Sequence, residues 1–495
     1  MRILTAGQVA ALAGGRCAGD HARLVGPGVV ADSRQVGPGA LFVALPGEHA
    51  DGRQFAAAAV AQRAAAVLAA SELPGLGVPT IVALDPLRGL ADLARGVVTE
   101  ARAAGLTTLA LTGSAGKTTT KDILAQLLDP DGPTVAPQGS WNNELGVPLT
   151  ACRVDASTRY LVSEMGARGA GHIAWLCGIT PPTVAAVTNV GTAHLGEFGS
   201  QEGIAAAKGE IVEALPSGGW AVLNADDALV AGMAARTDAR VAWFSAGAPV
   251  VPAATLNEAP LSVRATGSRA DDLERYGFTL TGSADGRGFA HAVRLPLVGR
   301  HLVADALAAA AMALAVGLHP GDVAARLGHL VPRSPWRMAL HELPGGAVLV
   351  NDAYNANPDS VAAALDTVGR MIAARRRQWP QARACAVLGD MLELGPLAPA
   401  LHREAGSRAA RCGVSVLAVG QYAADVVAGA RESGGQARVV QYADVPDAVP
   451  TGAGDVVLFK ASRGLGLPAS ELDRRGLGLE RLVAAVLEGQ GGQTR

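Results

Sequence analysis

Cysteine is scarce and scattered in this chain of 495 residues. The five (Cys17, Cys152, Cys177, Cys385, Cys412) are odd in number and never spaced C-x-x-C. A disulfide framework and a cysteine zinc site are therefore not expected, and a reducing cytosol fits. Charge imbalance is missing too. With 42 Lys and Arg against 44 Asp and Glu, the formal net charge is −2 and no basic track appears, which argues against a nucleic-acid binder. Long hydrophobic runs are absent. The longest, Ala306–Leu318, is too short for a bilayer and suits a buried helix, so no membrane insertion is expected. At the amino terminus, Thr5-Ala6-Gly7-Gln8 reads as a helix capping box, and Gln8 interrupts the apolar run that a signal peptide would need. Aromatics make up only 4%, while alanine and glycine abound, which points to α/β packing through small contacts. A cytoplasmic protein of roughly two to four domains is expected.

What the chain does have is strand-helix alternation. Residues 1–84 form a first unit with a capped helix, strand-like pieces at 29–31 and 40–45, an alanine-rich helix predicted over 55–70, and a last strand at 80–84. The second unit, 85–332, opens with a helix over 86–104 and has strands at 109–111, 160–163, 183–188 and 220–223. A turn-rich, poorly periodic stretch from 244 to 294 reads as irregular strands and loops, followed by the buried helix near 301–316. Pro332-Arg333-Ser334-Pro335 marks a linker. The third unit, 333–495, alternates again, with strands at 347–350, 384–388, 414–419, 438–440 and 455–459. The pattern predicts an α/β protein with two mostly parallel, doubly wound sheets, whose ligands sit at the carboxyl ends of the strands.

Thr112-Gly113-Ser114-Ala115-Gly116-Lys117-Thr118-Thr119-Thr120 lies between a strand and a helical pattern. Two glycines let the backbone wrap an anion, the helix start aims N–H groups at it, Lys117 adds charge, and the Thr118 hydroxyl can meet Mg²⁺. Leu111 stands where the general G-x-x-x-x-G-K-[ST] loop has its first glycine, so the spacing is off for an ordinary motor or kinase.

Four further groups fall at strand ends or in adjoining loops. Asn142-Asn143-Glu144-Leu145-Gly146-Val147-Pro148 offers paired amides, which alone are more often turn formers. In Ser163-Glu164-Met165-Gly166, a carboxylate ends an apolar strand, a place from which acids hold Mg²⁺ beside phosphate loops. His194, in Thr188-Asn189-Val190-Gly191-Thr192-Ala193-His194, and Lys208, in Lys208-Gly209-Glu210, would singly be structural and surface residues. Together with a metal-phosphate site they carry more weight. Asn351-Asp352-Ala353-Tyr354-Asn355-Ala356-Asn357-Pro358 packs acid, amide and phenol groups suited to ribose and phosphate contacts.

The order T-G-S-x-G-K-T-T-T, N-N-E-L-G-V-P-L-T, S-E-M-G-A, T-N-V-G-x-A-H-L, A-K-G-E-I, W-R-M and N-D-A-Y-N-A-N-P resembles the Mur ligases of peptidoglycan synthesis over nearly the whole chain. The short phosphate loop matches that family's form. Within the first unit, Asp32-Ser33-Arg34, Pro38 to Glu48 and Asp51-Gly52-Arg53-Gln54-Phe55 resemble a UDP-muramoyl-peptide binding domain. The resemblance implies three domains: a small N-terminal α/β substrate domain, a central P-loop parallel-sheet ATPase domain and a C-terminal Rossmann-like domain. A leading G-x-G-x-x-G and a D-N-P-R motif are both missing, while N-D-A-Y-N-A-N-P and Gly389-Asp390-Met391-Leu392-Glu393-Leu394-Gly395 are present. Those features favour the member acting last in the pathway, which joins D-alanyl-D-alanine to UDP-N-acetylmuramoyl-tripeptide.

The implied reaction is ATP-driven: a carboxylate takes the γ-phosphoryl group, and an amine then displaces phosphate from the acyl-phosphate. Gly113, Ser114, Ala115, Gly116, Lys117, Thr118 and Thr119 are implied nucleotide contacts, with Asn143, Asp305, Arg337, Asp352 and Tyr354 completing that set. Thr118 and Glu164 are implied for a first Mg²⁺, and His194 and Lys208 for a second. A lysine ammonium cannot ligate a cation, so the family's carbamate at this position is carried to Lys208. Lys117, Lys208 and His194 are the implied catalytic residues; Ser33, Arg34, Asp51 and Gln54 are implied for the UDP-linked substrate. A monomer is expected.

The chain departs from the family at Gly299-Arg300-His301-Leu302-Val303-Ala304-Asp305, where Leu302 and Asp305 stand in place of asparagines. Asp305 can still accept a hydrogen bond from adenine, but Leu302 cannot form one. The repeat of Gly464-Leu465-Gly466-Leu467 at Gly476-Leu477-Gly478-Leu479 suggests an inserted surface segment. Two other readings remain open: the third ligase of the pathway, which adds a diamino acid to a dipeptide, and a nucleotide-gated binding module that performs no ligation.

Overall fold

The computed structural model describes residues 1–47, 50–191, 198–462 and 478–489. Three sheets succeed one another along the chain. The first has five strands in the order 16–18, 80–82, 66–69, 41–43, 29–30, beside a two-stranded pair formed by 4–5 and 24–25. The capping box forms as read: Thr5 Oγ1 accepts from the Gln8 amide at 3.2 Å, and Gln8 Oε1 accepts from the Thr5 amide at 2.9 Å, starting the helix Ala6–Leu12.

The alanine-rich stretch over 55–70 is not one helix. It is a turn at Gly52–Phe55, a short helix Ala56–Ala61 and a fully buried strand Ala66–Ala69. Arg63 at φ 71° breaks the helix, and Ala66–Ala69 then lies between two parallel neighbours. A strand buried on both faces reads as a continuous apolar run, so alanine's helical preference gives way to the sheet.

Nine strands form the central sheet, in the order 287–298, 275–284, 261–270, 240–245, 220–224, 184–187, 107–112, 160–164, 134–135. From 261–270 through 134–135, each strand runs parallel to its neighbour. Thr107–Thr112 is flanked by Tyr160–Glu164 on one side and Val184–Val187 on the other. The chain thus winds away in both directions from the phosphate-loop strand, which opens a crevice at its carboxyl end. The stretch read as irregular strands and loops holds a short helix, Ala253–Glu258, and then a long antiparallel ribbon of Leu261–Ala270, Arg275–Ala284 and Arg287–Val298, whose register shifts between Thr266 and Arg269 and between Arg275 and Gly277. Tyr276, Phe278 and Leu280 alternate into the core, while glycines and solvent-facing charges hide that period in the sequence.

The helix His301–Ala315 is buried between this sheet and the phosphate-loop helix Lys117–Leu128. Its alanines permit close approach. Helix Pro86–Ala103, capped by Asp85, turns Leu90, Leu93, Val97 and Val98 into a core that also holds Leu41 and Leu68 of the first sheet and Leu149, Leu161 and Ile179 around the second. One apolar core therefore joins first unit to central unit. The third sheet runs 339–342, 348–351, 456–460, 384–388, 415–418, 437–439, parallel except for its first strand. Among the described residues no helix is long and apolar enough to cross a membrane, and all five cysteines are free thiols. Residues 463–477, holding most of the suspected insertion, lie outside the described residues, as does His194.

Candidate active site

The phosphate loop is held from beneath by the neighbouring strand end. Thr188 Oγ1 donates to the Ala115 carbonyl at 2.8 Å, and the Asn189 side chain both accepts from the Ala115 amide at 2.9 Å and donates to its carbonyl at 3.1 Å. Ser114 Oγ accepts from the Gly191 amide at 2.9 Å. Gly116 has φ 80°, and a Cβ there would lie 2.2 Å from Asp305 Oδ1, so glycine is required twice over. The helix that follows presents its first unpaired N–H groups at this turn. Lys117 Nζ donates to the Gly113 carbonyl at 2.6 Å, and loss of water around its ammonium lowers its pKa.

Thr118 and Glu164 meet: the hydroxyl donates to Glu164 Oε1 at 3.1 Å, and Asn142 Nδ2 donates to the same oxygen at 2.7 Å. Glu164 Oε2 is buried with no hydrogen-bond partner. A hydroxyl beside a carboxylate with one unsatisfied oxygen is a donor set that fits Mg²⁺, which keeps waters and phosphate oxygens in its remaining positions. From the third unit, Arg337 donates to Thr118 Oγ1 at 3.0 Å and lies 4.2 Å over the Tyr354 ring. Tyr354 OH in turn sits 2.5 Å from Ser140 Oγ. Asp352 pairs with the buried Lys460 at 2.5 Å and accepts from the Met338 amide at 3.1 Å.

Lys208 is buried at 4% exposure on the helix Gln201–Glu213. Desolvation, with Lys117 adding repulsion, brings its pKa down to about 7. Asp305 is buried with Oδ2 unpartnered, and burial raises its carboxyl to about 8. It packs on the phosphate loop, and with His301, Asn224 and Phe244 it lines a small cavity of about 130 Å³ behind that loop. Burial lowers His301 to about 4.

One cavity of about 1190 Å³ gathers most of these groups. Ser114 to Thr119, Asn142, Asn143, Glu164, Lys208 and Asp305 line it from the central unit, Arg337, Asp352 and Tyr354 from the third. Asn143 serves locally, its Oδ1 accepting from the Gly146 amide at 2.9 Å, whereas Asn142 is the one that reaches Glu164. The first unit contributes Pro27 to Asp32 and Gln35 to the wall. Ser33, Arg34, Asp51 and Gln54 are not among the lining residues. Asp51 caps the turn Gly52–Phe55 and pairs with Arg53 at 2.5 Å, and Asp32 caps Ser33–Gln35 and pairs with Arg34. Asn142 and Asn189 have contacts in the site that their motifs did not mark, and Lys460, outside those motifs, pairs with Asp352.

A phosphate loop with a carboxylate beside it, completed by side chains from a second doubly wound unit, defines a nucleotide-dependent enzyme whose site is assembled between units. The chain belongs to the Mur ligase family. Residues 27–97 match the family's catalytic domain, 111–313 its middle domain and 336–463 its glutamate ligase domain. The UDP-N-acetylmuramoyl-tripeptide–D-alanyl-D-alanine ligase of Mycobacterium tuberculosis strain H37Rv is 41% identical, over 94% of this chain and 96% of its own. The Escherichia coli K12 enzyme of that name is 37% identical over 79% and 81%. Among solved structures, MurF from Acinetobacter baumannii has a TM-score of 0.81 at 28% identity, with 99% of each chain covered. MurF ligase from Thermotoga maritima in complex with ADP has 0.72 at 26%, with 93% and 97% covered.

Proposed function

We propose that this chain joins D-alanyl-D-alanine to UDP-N-acetylmuramoyl-tripeptide, using ATP and passing through an acyl-phosphate. The observation that carries this reading is the single cavity in which Lys117, Thr118 and Glu164 face Arg337 and Tyr354, with the first unit closing one wall. Residues 1–84 hold the UDP-linked peptide, 85–332 the phosphates, and 333–495 the far side of the nucleotide. The reaction must bring two anions together, neutralise the phosphoryl group and exclude water.

Lys117 and the N–H groups at the start of its helix draw the β- and γ-phosphates into the loop. Arg337 adds a fixed cation on the opposite side, braced by Tyr354. Thr118 Oγ1 and Glu164 would hold one Mg²⁺, and a second would fall to His194 and Lys208. Bound there, such ions would neutralise phosphate charge. Lys208 qualifies as a ligand only after its neutral amine adds CO₂, giving a carbamate and releasing a proton. A pKa near 7 supplies that neutral amine. The substrates are UDP-N-acetylmuramoyl-tripeptide and D-alanyl-D-alanine, the chain acts as a monomer, and the reaction belongs in the cytoplasm.

The test is phosphate release from ATP with UDP-N-acetylmuramoyl-tripeptide, and in parallel with UDP-muramoyl-dipeptide, comparing D-alanyl-D-alanine, free D-alanine and diaminopimelate as amine acceptors. Turnover is expected with the dipeptide alone. Turnover that ignores the dipeptide, or that prefers diaminopimelate with a UDP-muramoyl-dipeptide, overturns the assignment.

A further inference from the structure

Lys121 lies one turn beyond Lys117, yet its ammonium points away from solvent, at 1% exposure. A lysine that deep usually marks a liability, because a buried cation is costly unless every donor is used. Here Nζ donates to Asp122 Oδ1 at 2.6 Å, to the Pro137 carbonyl at 2.9 Å and to the Gly139 carbonyl at 3.0 Å. An ammonium has three N–H donors, so all three are satisfied.

The two carbonyls belong to the irregular segment between strand Thr134–Val135 and helix Gly146–Ala151. That segment has no ladder of its own, and it carries two contacts on which the site depends. Ser140 Oγ meets Tyr354 OH of the third unit at 2.5 Å. Asn142 Nδ2 orients Glu164 at 2.7 Å, while its carbonyl accepts from the Gly166 amide at 2.8 Å. Tyr354 supports Arg337, which returns to Thr118 on the helix that carries Lys121. The contacts form a closed circuit: helix, Lys121, loop, Tyr354, Arg337, and the helix again.

We infer that Lys121 is a positioning residue that locks the 137–142 loop, and so couples the orientation of the Glu164 carboxylate to the docking of the third unit through Tyr354. Lys117 is the lysine of the phosphate loop itself. In this chain a second lysine, four residues on, fixes the loop that aims the acid. The inference rests on the ATP and Mg²⁺ reading above, and its test separates the two.

The experiment titrates Mg²⁺ into full-length protein with ADP and follows ADP binding by calorimetry, for wild type, Lys121→Met and Ser140→Ala. Lys121→Met is expected to raise the Mg²⁺ needed for half-maximal binding about tenfold, the usual cost of losing support behind a metal ligand. In turnover, kcat should fall while KM for the UDP-linked substrate stays unchanged. Ser140→Ala alone should lower kcat, and adding it to Lys121→Met should cost little more, because both break one circuit. An unchanged Mg²⁺ requirement in folded Lys121→Met, or losses that simply multiply, overturns the inference. If Lys121→Met does not fold, Lys121→Arg takes its place. It keeps the charge, but its longer planar head cannot make three bonds from one point, so the same Mg²⁺ shift is expected and its absence is equally fatal. Wild-type turnover that ignores D-alanyl-D-alanine would sink the assigned reaction while leaving the Mg²⁺–ADP result for Lys121 intact.

Discussion

Arg337 reaches across from the third unit to donate to Thr118 Oγ1 at 3.0 Å, while its guanidinium lies 4.2 Å above the Tyr354 ring. One planar cation thus binds a phosphate-loop hydroxyl and stacks on an aromatic face. A lysine offers a compact, strongly hydrated ammonium in place of the planar fork, so it would stack more weakly while donating. Arg337→Lys should lower kcat/KM for ATP by about 10²-fold, the scale of losing one aimed donor in a site. Tyr354→Phe keeps the ring but loses the Ser140 contact, and should cost far less. Steady-state ATP titrations on the two variants check the order; equal losses would contradict it.

Lys208 gives the site a pH signature. Its pKa falls to about 7 in the folded protein against an ordinary 10.5, so it is an ammonium below the lower value and a free amine above it. Carbamate formation needs the amine. At limiting bicarbonate, activity should rise as pH passes upward through about 7, and added bicarbonate should lift it most on the alkaline side. Lys208→Arg, which stays charged, should be inactive at any bicarbonate. Lys208→Ala should recover some activity with acetate. Folding carries the same sign: between the two pKa values the unfolded chain binds the extra proton, so stability rises with pH. Lys208→Met should flatten that rise in urea titrations read across the window.

The sequence made legible whatever chemistry sits in contiguous residues. The phosphate loop, Glu164 at its strand end and Asp352 to Asn357 could all be read because strand, turn and side chain follow one another in the chain. Pairings across the fold could not. Asn142 and Asn143 are chemically equivalent in a list, and only the backbone path decides which reaches Glu164 and which caps Gly146. The wall that the first unit gives to the cavity was least legible. Asp32 and Asp51 stand out as acids, yet each spends its oxygens on its own turn and a nearby arginine. Ala66–Ala69 reads as helix, and the strands from 261 to 298 read without their length or pairing, for a related reason: alanine and glycine carry little period, and neighbouring strands settle what they become.

Gly116 is where sequence and packing agree most tightly. Its φ of 80° is a left-handed turn, and its missing Cβ leaves room for Asp305. Gly116→Ala should abolish nucleotide binding while the thermal midpoint drops only modestly, since the loop lies at the cavity rather than in a core. Pairing it with Asp305→Gly relieves the 2.2 Å clash but not the backbone strain. The double variant should therefore still bind ADP more weakly than Asp305→Gly alone, as measured by ADP titration. Binding equal to that of Asp305→Gly would mean that space alone, and not the turn, makes glycine necessary.

Asp352 and Lys460 join the ends of two neighbouring parallel strands at 2.5 Å, with side chains 13% and 2% exposed. Lys460 also donates to the Asn355 carbonyl at 3.0 Å, so it ties the loop after strand 348–351 to the sheet. Removing one member of so buried a pair strands the other charge. Asp352→Ala should cost about 3–5 kcal/mol in urea unfolding, more than its contacts alone would suggest. Asp352→Ala with Lys460→Met should cost less than Asp352→Ala by itself, because the unpaired ammonium is gone. Neither variant should weaken binding of the UDP-linked substrate, whose proposed site is on the first unit, whereas both should raise the ATP concentration needed for turnover. Equal loss of the two substrates would place Asp352 in general folding rather than in the nucleotide site.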